Sequence, residues 1–404
     1  MVDRSGRVGL CPARFGPGTV GGAEIVMHEM ARGLTERGWE VEILTTCARD
    51  HHTWANEFPA GVREEDGLLV RRFPVVFDNT AERAEIEAAI LAGSPIPIQQ
   101  QQRWMNGGMR VPELYHYLLD HAEDYRALIF TPYPFWVTYA CSQIAPERSV
   151  LWTCLHDEPY AYLDLFQPVL TGVAGLFFQT TPEHDLAHRI FGTLPPHAEV
   201  GCGVEVPAGY DPDGFRQRYG IEGRFLLYAG RREGAKGWED LLRAFATANA
   251  RRKLPFTLVT MGGGPVNPPK EIADKVIDVG FLPDAERDNA FAAADAYLQP
   301  SRYEAFSRTV MEAWLAGTMV IANAGSEVVA WHCERSGAGL VYDDEYEFEQ
   351  CLAFVADAPT TAAELARSGR DYALANYTWP TVLDRVEAGL AEWTGQPTSP
   401  ELVK

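Results

Sequence analysis

Between residues 7 and 46 an apolar run, a glycine-rich loop, an amphipathic helix and a second apolar run follow one another, and that order admits few folds. RVGLCP (7–12) reads as a short strand. In AEIVMHEMARGLTERG, Met27, Met30, Ala31 and Leu34 recur at helical spacing, and Gly38 ends the pattern. WEVEILTT then reads as a second strand. Strand, helix and strand in this order make a βαβ unit, so parallel strands and a right-handed crossover are expected. ALIFT (127–131), VLWTCL (150–155) and GLFFQT (175–180) extend the series.

A second series is cleaner. RFLLYAGR, FTLVTMGGGP, KVIDVGF, AYLQPS and TMVIAN read as strands, with GWEDLLRAFATANARR, DAERDNAFAAAD and FSRTVMEAWLAG as helices among them. A chain of 404 residues exceeds one ordinary core and suits two domains of roughly 200 residues each. VEVPAGYDPDGFRQRYG (204–220), rich in Pro, Gly and Asp, reads as the linker. Asp211-Pro212-Asp213 within it imitates a D-x-D metal site, but its place in a linker marks it as a turn.

The expected fold is therefore α/β: two tandem doubly wound domains, residues 1–205 and 206–371, with strand carboxyl ends facing a cleft. The helices of 372–404 are expected to cross back onto the first domain. Residues 77–125 break the alternation with helical segments, read either as an insertion covering the sheet or as a lid or substrate-binding element.

Composition closes off several functions. With 46% hydrophobic and 23% charged residues the chain reads as globular and soluble. Its 35 basic against 56 acidic residues give a net charge of -21, which repels nucleic-acid phosphates; no nucleic-acid partner is expected. Peripheral membrane contact is not indicated, and oligomeric state is left open. The seven cysteines are scattered without a C-x-x-C pair, so buried free thiols in a reducing compartment are expected. The first residues carry no apolar secretory core, which predicts a cytoplasmic protein.

RFGPGTVGGAE (14–24) holds Gly16, Gly18 and Gly21 in G-x-G-x-x-G spacing. A dinucleotide site needs the first glycine directly after the strand and an acidic residue ending the second strand. Here Pro12 to Gly16 intervene and the second strand ends in Thr45-Thr46, so both conditions fail. Gly21 and Gly22, just before a helix, remain as backbone open to a phosphate or sugar. The alternative is a turn that needs glycine only for positive φ.

The strongest signal is PSRYEAFSRTVMEAW. It places Glu304 at a strand end and the amides of Phe306, Ser307 and Arg308 at a helix mouth, where oriented N–H groups attract diphosphate. Glu312 is expected about two turns into that helix, positioned to accept from a ribose diol. With YAGRREGAKGW upstream, the chain resembles the retaining family 4 glycosyltransferases of the two-domain, Rossmann-like GT-B fold. The resemblance spans nearly the whole chain through the Gly-Gly loop, G-R-x₄-K-G, E-x₇-E and a histidine after a first-domain strand.

The resemblance implies the following roles. Arg231 and Lys236 grip the donor diphosphate, where negative charge grows as the glycosidic bond breaks. Glu304 touches the donor sugar's hydroxyls, and Glu312 the ribose. Gly230, Gly262, Gly263, Val279, Phe281 and Leu282 accommodate the nucleotide and base, beside Ala305, Phe306, Ser307 and Arg308. His156 matches the family's active-site histidine. Asp157, Glu158 and Tyr133 are candidates for acceptor hydroxyls, with surface or capping roles as the alternative for the two acids. The family commonly has Gly where Ala305 and Ser307 stand.

The expected activity is a hexosyltransferase-like, retaining transfer from a nucleotide sugar to an acceptor hydroxyl on a glycan, lipid-linked glycan or natural product. It is expected to proceed by front-face attack with no cofactor and no metal; no carboxylate pair suited to a covalent glycosyl intermediate stands out. Two other classes stay on the page: a catalytically silent nucleotide-sugar binder or assembly subunit, and a nicotinamide-dependent oxidoreductase.

Overall fold

A computed structural model describes residues 3–19, 21–78 and 80–394. The chain divides into two units, one of residues 1–203 with 379–404, the other of residues 204–378. The sequence boundary at 372 falls inside a helix of the second unit; the chain returns to the first only at Trp379.

The strands of the first unit are β1 (Arg7–Pro12), β2 (Glu40–Thr46), β3 (Gly61–Glu65), β4 (Leu68–Phe73), β5 (Val76–Phe77), β6 (Met109–Arg110), β7 (Tyr125–Thr131), β8 (Ser149–Trp152), β9 (Gly175–Phe178) and β10 (His197–Glu199), and the apolar runs form the buried β1, β2, β7, β8 and β9. Between them run α1 (Gly22–Glu36), α2 (Ala81–Leu91), α3 (Ile98–Asn106), α4 (Pro112–His121), α5 (Gln167–Gly172) and α6 (Thr181–Phe191). The main sheet has the order β10-β9-β8-β7-β1-β2-β4-β3, parallel except for the β3–β4 hairpin; β5 and β6 pair separately. As the heptad-like spacing requires, α1 buries Val26, Met27, Met30, Ala31 and Leu34.

The insertion is packed, not loose. Ile86, Ile90, Trp104 and Met105 of α2 and α3 join the unit's apolar core. Trp104 stacks on Tyr160 at 5.3 Å, and Gln101 donates to Asp164 and accepts from the Leu165 amide. The insertion therefore braces the segment that follows His156.

The second unit contains α7 (Pro212–Tyr219), β11 (Arg224–Ala229), α8 (Trp238–Arg252), β12 (Phe256–Met261), β13 (Val276–Gly280), α9 (Asp284–Ala293), β14 (Ala296–Gln299), α10 (Arg308–Leu315), β15 (Met319–Asn323), α11 (Glu327–Ser336), β16 (Leu340–Tyr342), α12 (Glu345–Asp357) and α13 (Pro359–Asn376). Its sheet is wholly parallel in the order β13-β12-β11-β14-β15-β16. The stretch read as a linker holds α7: Asp211 is its N-cap, accepting from the Gly214 amide at 3.0 Å. α14 (Trp379–Trp393) then rejoins the first unit, where Trp393 lies against Phe177 and over Gly175.

All seven cysteines are free, and six are buried. No described helix is long and apolar enough to cross a membrane.

Candidate active site

In the second unit β11 is flanked by β12 on one side and β14 on the other, so the strand order reverses beside it. Loops leaving adjacent strands diverge at such a point and open a crevice at the strand carboxyl ends. The loop after β11 carries Arg231 and Lys236; the loop after β14 carries Glu304 to Ser307.

The two loops meet. Lys236 Nζ donates to Glu304 Oε1 at 2.9 Å, with the lysine side chain 31% and the carboxylate 13% exposed. Their approach depends on Gly237, at φ 71°, where a Cβ would lie 2.5 Å from the Pro300 carbonyl oxygen. Any other residue there would hold the two loops apart, which gives the last glycine of G-R-x₄-K-G a physical cause. Arg231 behaves differently: its guanidinium pairs with Glu233 at 3.1 Å and is about half exposed. The neighbouring Arg232, passed over in the sequence, is buried and forks onto Asp278 at 3.0 and 3.2 Å while donating to the Gly264 carbonyl. It ties the ends of β11, β12 and β13 together.

The helix mouth is shifted from its expected place. α10 begins at Arg308, with Ser307 as N-cap in a left-handed conformation (φ 69°, ψ 77°). Its leading amides are thus those of Arg308 and Thr309, while Ala305, Phe306 and Ser307 form a buried run before it. The Ser307 side chain does not cap the helix: Gln299 Nε2 donates to its Oγ at 2.5 Å and reaches Glu304 Oε1 at 3.5 Å. Without a side-chain cap the helix mouth keeps its donors oriented outward, the property that favours an anion. Because α10 starts late, Glu312 lies one turn in, not two. It sits between Arg308 at 3.6 Å and Arg287 at 3.7 Å, and is 11% exposed.

Behind the loop, Phe306 packs edge-on against His332 and Tyr377 at 5.1 and 4.9 Å. His332 Nδ1 meets Tyr372 Oη at 3.0 Å, and burial pushes its pKa down to about 3. Gly262 and Gly263 line the turn after β12, where the Gly262 amide donates to the Gly280 carbonyl at 2.8 Å. Near the end of β13 Val279 is half-buried, and beyond the strand Leu282 is buried and Phe281 projects with 73% exposure. Gly230 donates to the Met261 carbonyl at 3.0 Å, closing the same strand-end group.

In the first unit His156 follows β8 and is 30% exposed. Its Nδ1 lies 3.7 Å from Glu158 Oε1, which also accepts from the fully buried Tyr133 hydroxyl at 2.8 Å. Tyr133, Glu158 and His156 thus form one group. Burial first, then the Glu158 carboxylate, raise the Tyr133 phenol well above its usual range, so it acts as a neutral donor. Asp157 turns away, holding Tyr162 at 2.7 Å and Arg189 at 2.8 Å on the surface.

The Gly21–Gly22 loop is occupied by its own charges. Gly21 is the N-cap of α1, and a Cβ on it would strike the Glu24 carboxylate, which pairs with Arg14 at 2.5 Å. Gly22 has open space around it. On the loop after β2, Asp50, His51 and His52 bring potential ligand atoms within 4.8 Å of one another, a grouping the sequence reading did not note.

Residues 223–357 match the family described as glycosyl transferases group 1. The second unit thus resembles the group 1 glycosyltransferases. The chain is 26% identical over 399 residues to D-inositol 3-phosphate glycosyltransferase of Saccharomonospora viridis, covering 91% of this chain and 89% of that one. It is 28% identical over 216 residues to 2-deoxystreptamine glucosyltransferase of Streptomyces kanamyceticus, covering 47% and 52%. Among solved structures, Anabaena HepE in complex with UDP and glucose superposes with a TM-score of 0.70 at 16% identity over 96% and 99% of the two chains. Sucrose-phosphate synthase of Thermosynechococcus elongatus gives 0.68 at 16% identity over 95% and 98%. The fold is GT-B, built of two Rossmann-like units.

Proposed function

We propose that this protein is a retaining, metal-independent family 4 glycosyltransferase that moves a hexosyl group from a nucleoside-diphosphate sugar to an acceptor hydroxyl. The observation that carries the reading is the Lys236–Glu304 contact at the strand-order reversal, beside the uncapped mouth of α10. As the glycosidic bond breaks, negative charge accumulates on the leaving diphosphate. Lys236, Arg231 and the first amides of α10 neutralise it, and each such donor is worth on the order of 3 kcal/mol in a water-excluded site. Glu304, relieved of part of its hold on Lys236, accepts from donor-sugar hydroxyls. The departing phosphate oxygen takes the acceptor proton, so attack occurs on the face the phosphate leaves and configuration is kept. Glu312, Gly262, Gly263 and the turn at Val279–Leu282 hold the nucleotide; within the first unit, His156 with Glu158 and Tyr133 behind it is the group proposed to take part in the transfer.

HepE was solved with UDP and glucose, which supports a nucleotide-sugar donor here. D-inositol 3-phosphate and 2-deoxystreptamine, the compounds in the relatives' names, are the first acceptors to assay. A thermal-shift screen with UDP, GDP, ADP and TDP sugars identifies the base, since bound ligand stabilises the fold with occupancy. Lys236→Ala and Glu304→Ala are each expected to lower turnover at least about a hundredfold. Near-normal turnover in both would refute the assignment. EDTA is expected to leave turnover unchanged, and a loss restored by a divalent cation would end the metal-free proposal.

A further inference from the structure

β8 stops at Trp152, three residues short of the apolar run that suggested it, and the cause lies in the path to His156. Cys154 takes a left-handed backbone conformation (φ 51°), unfavourable for a residue with a Cβ. Such a kink persists only where its surroundings over-determine it. Glu183, in the first turn of α6 and 1% exposed, supplies the restraint. Its Oε1 accepts from the Thr153 hydroxyl and the Leu155 amide, both at 2.6 Å, on either side of the kink. Its Oε2 accepts from the Gln179 amide at 2.6 Å at the end of β9. Gln179 closes the arrangement by donating Nε2 to Cys154 Sγ at 3.2 Å. One carboxylate therefore fixes the chain immediately before His156 and ties it to the neighbouring strand end.

The sequence held a partial signal. Thr180-x-x-Glu183 has capping-box spacing, and Thr180 does accept from the Glu183 amide at 3.3 Å. A glutamate serving a cap alone has no need of burial or of a partner on a distant loop. Burial pushes the Glu183 carboxyl up to about 7 despite the hydrogen bonds from Thr153, Gln179 and Leu155 and the pull of His156, so the fold tolerates a strained acid here.

We infer that Glu183 is a positioning residue for His156: it sets the kinked segment Thr153–Leu155 and through it the place of the imidazole. The inference rests on the reading of His156 as an active-site residue. A carboxamide at 183 has one accepting oxygen for three donors and turns N–H groups toward an N–H, so Glu183→Gln loosens the segment with little change in volume.

The test is a double-mutant cycle in the full chain with Glu183→Gln, His156→Ala and the pair. In the otherwise unaltered enzyme Glu183→Gln is expected to lower kcat about tenfold or more, because small misplacements of an active-site group carry such losses. Donor KM is expected to stay within about twofold, and in the His156→Ala background the same change should cost less than about twofold. Equal losses in both backgrounds, or an unaltered kcat, would overturn the inference. Should Glu183→Gln fail to fold, Thr153→Val removes a single pin and is expected to show the same non-additivity with His156→Ala; additivity overturns the proposal. If the chain transfers no sugar under any condition tried, imidazole NMR decides independently of activity. The resonances assigned to His156 by His156→Ala are expected to move in Glu183→Gln, whereas unmoved resonances sink the coupling.

Discussion

Ser307 carries a conflict that the sequence hinted at and the backbone makes explicit. Its φ of 69° and ψ of 77° are unfavourable to any residue with a Cβ, by about 1–2 kcal/mol. Glycine, common at this place in the family the sequence resembles, would be relaxed there. The serine offsets part of its strain through the Gln299 hydrogen bond, worth about 1 kcal/mol. Two substitutions separate these effects. Ser307→Ala loses the hydrogen bond and keeps the strain, so it is expected to destabilise by about 1–2 kcal/mol. Ser307→Gly loses the same bond and releases the strain, so it should be more stable than Ser307→Ala by about 1 kcal/mol in denaturant titration. Equal stabilities would mean that the left-handed backbone is not strained. Gly237→Ala belongs to the same scale: a Cβ 2.5 Å from the Pro300 oxygen must part Lys236 from Glu304, and turnover is expected to fall about a hundredfold. Lys236 and Glu304 were singled out because the resemblance to a known family, carried by G-R-x₄-K-G and E-x₇-E together, marks them. Arg232 was not, because its role lies in a fork onto Asp278, a residue 46 positions away that no local pattern announces.

At the scale of elements, strands buried on both faces announced themselves as apolar runs, and β1, β2, β7 and β9 stand where those runs stood. β3 and β4 were missed. β3 is largely exposed, so hydrophobicity gave no signal, although Asp66-Gly67 supplied one of another kind: both have positive φ, at 51° and 76°, as a two-residue hairpin turn requires. The start of α10 was misplaced for a similar reason: Ser307 is of a type favoured at helix N-caps, but its left-handed backbone and its side chain turned to Gln299 instead of the helix amides are not written in the sequence. What holds that start is tertiary: Phe306 against His332 and Tyr377, from α11 and the end of α13. This packing has a pH signature. His332 in the fold titrates near 3, below the ordinary 6.5, so as pH falls through 6.5 the unfolded chain takes up a proton that the folded chain refuses. Stability contributed there is intact above 6.5 and is lost between 6.5 and 3, at about 1.4 kcal/mol per pH unit at most. His332→Phe keeps an aromatic ring and removes the titration. Melting temperatures of wild type and variant are expected to converge, or cross, between pH 7 and 5; parallel curves would show that His332 titrates normally.

At the scale of the whole molecule, the last described helix belongs to the first unit, a return whose partners are as far as 383 residues away in sequence and so invisible to local pattern. Two devices fasten α14. Trp393 lies over Gly175, where any Cβ would fall 2.0 Å from the indole, and stacks on Phe177. Glu387, 2% exposed, accepts from Arg4, Arg37 and Trp39, each at 2.7 Å. Burial opposes its ionisation, but these donors prevail and bring its pKa down to about 2. Its contribution is therefore complete above the unfolded value of 4.5 and disappears as pH falls toward 2, the reverse direction from a buried acid such as Glu183. Glu387→Ala strands three donors, two of them cationic and partly exposed, and is expected to cost about 3 kcal/mol at neutral pH. Since Arg4, Arg37 and Trp39 all lie in the first unit, the loss should appear in that unit's unfolding alone. Denaturant titration followed by hydrogen exchange separates the two: protection of β1, β2 and β9 amides should fall, while that of β11 and β14 stays as it was. Equal losses in both sheets would mean that α14 stabilises the chain as one cooperative body, and no loss in either would leave the helix held by Trp393 and its apolar neighbours without help from the carboxylate.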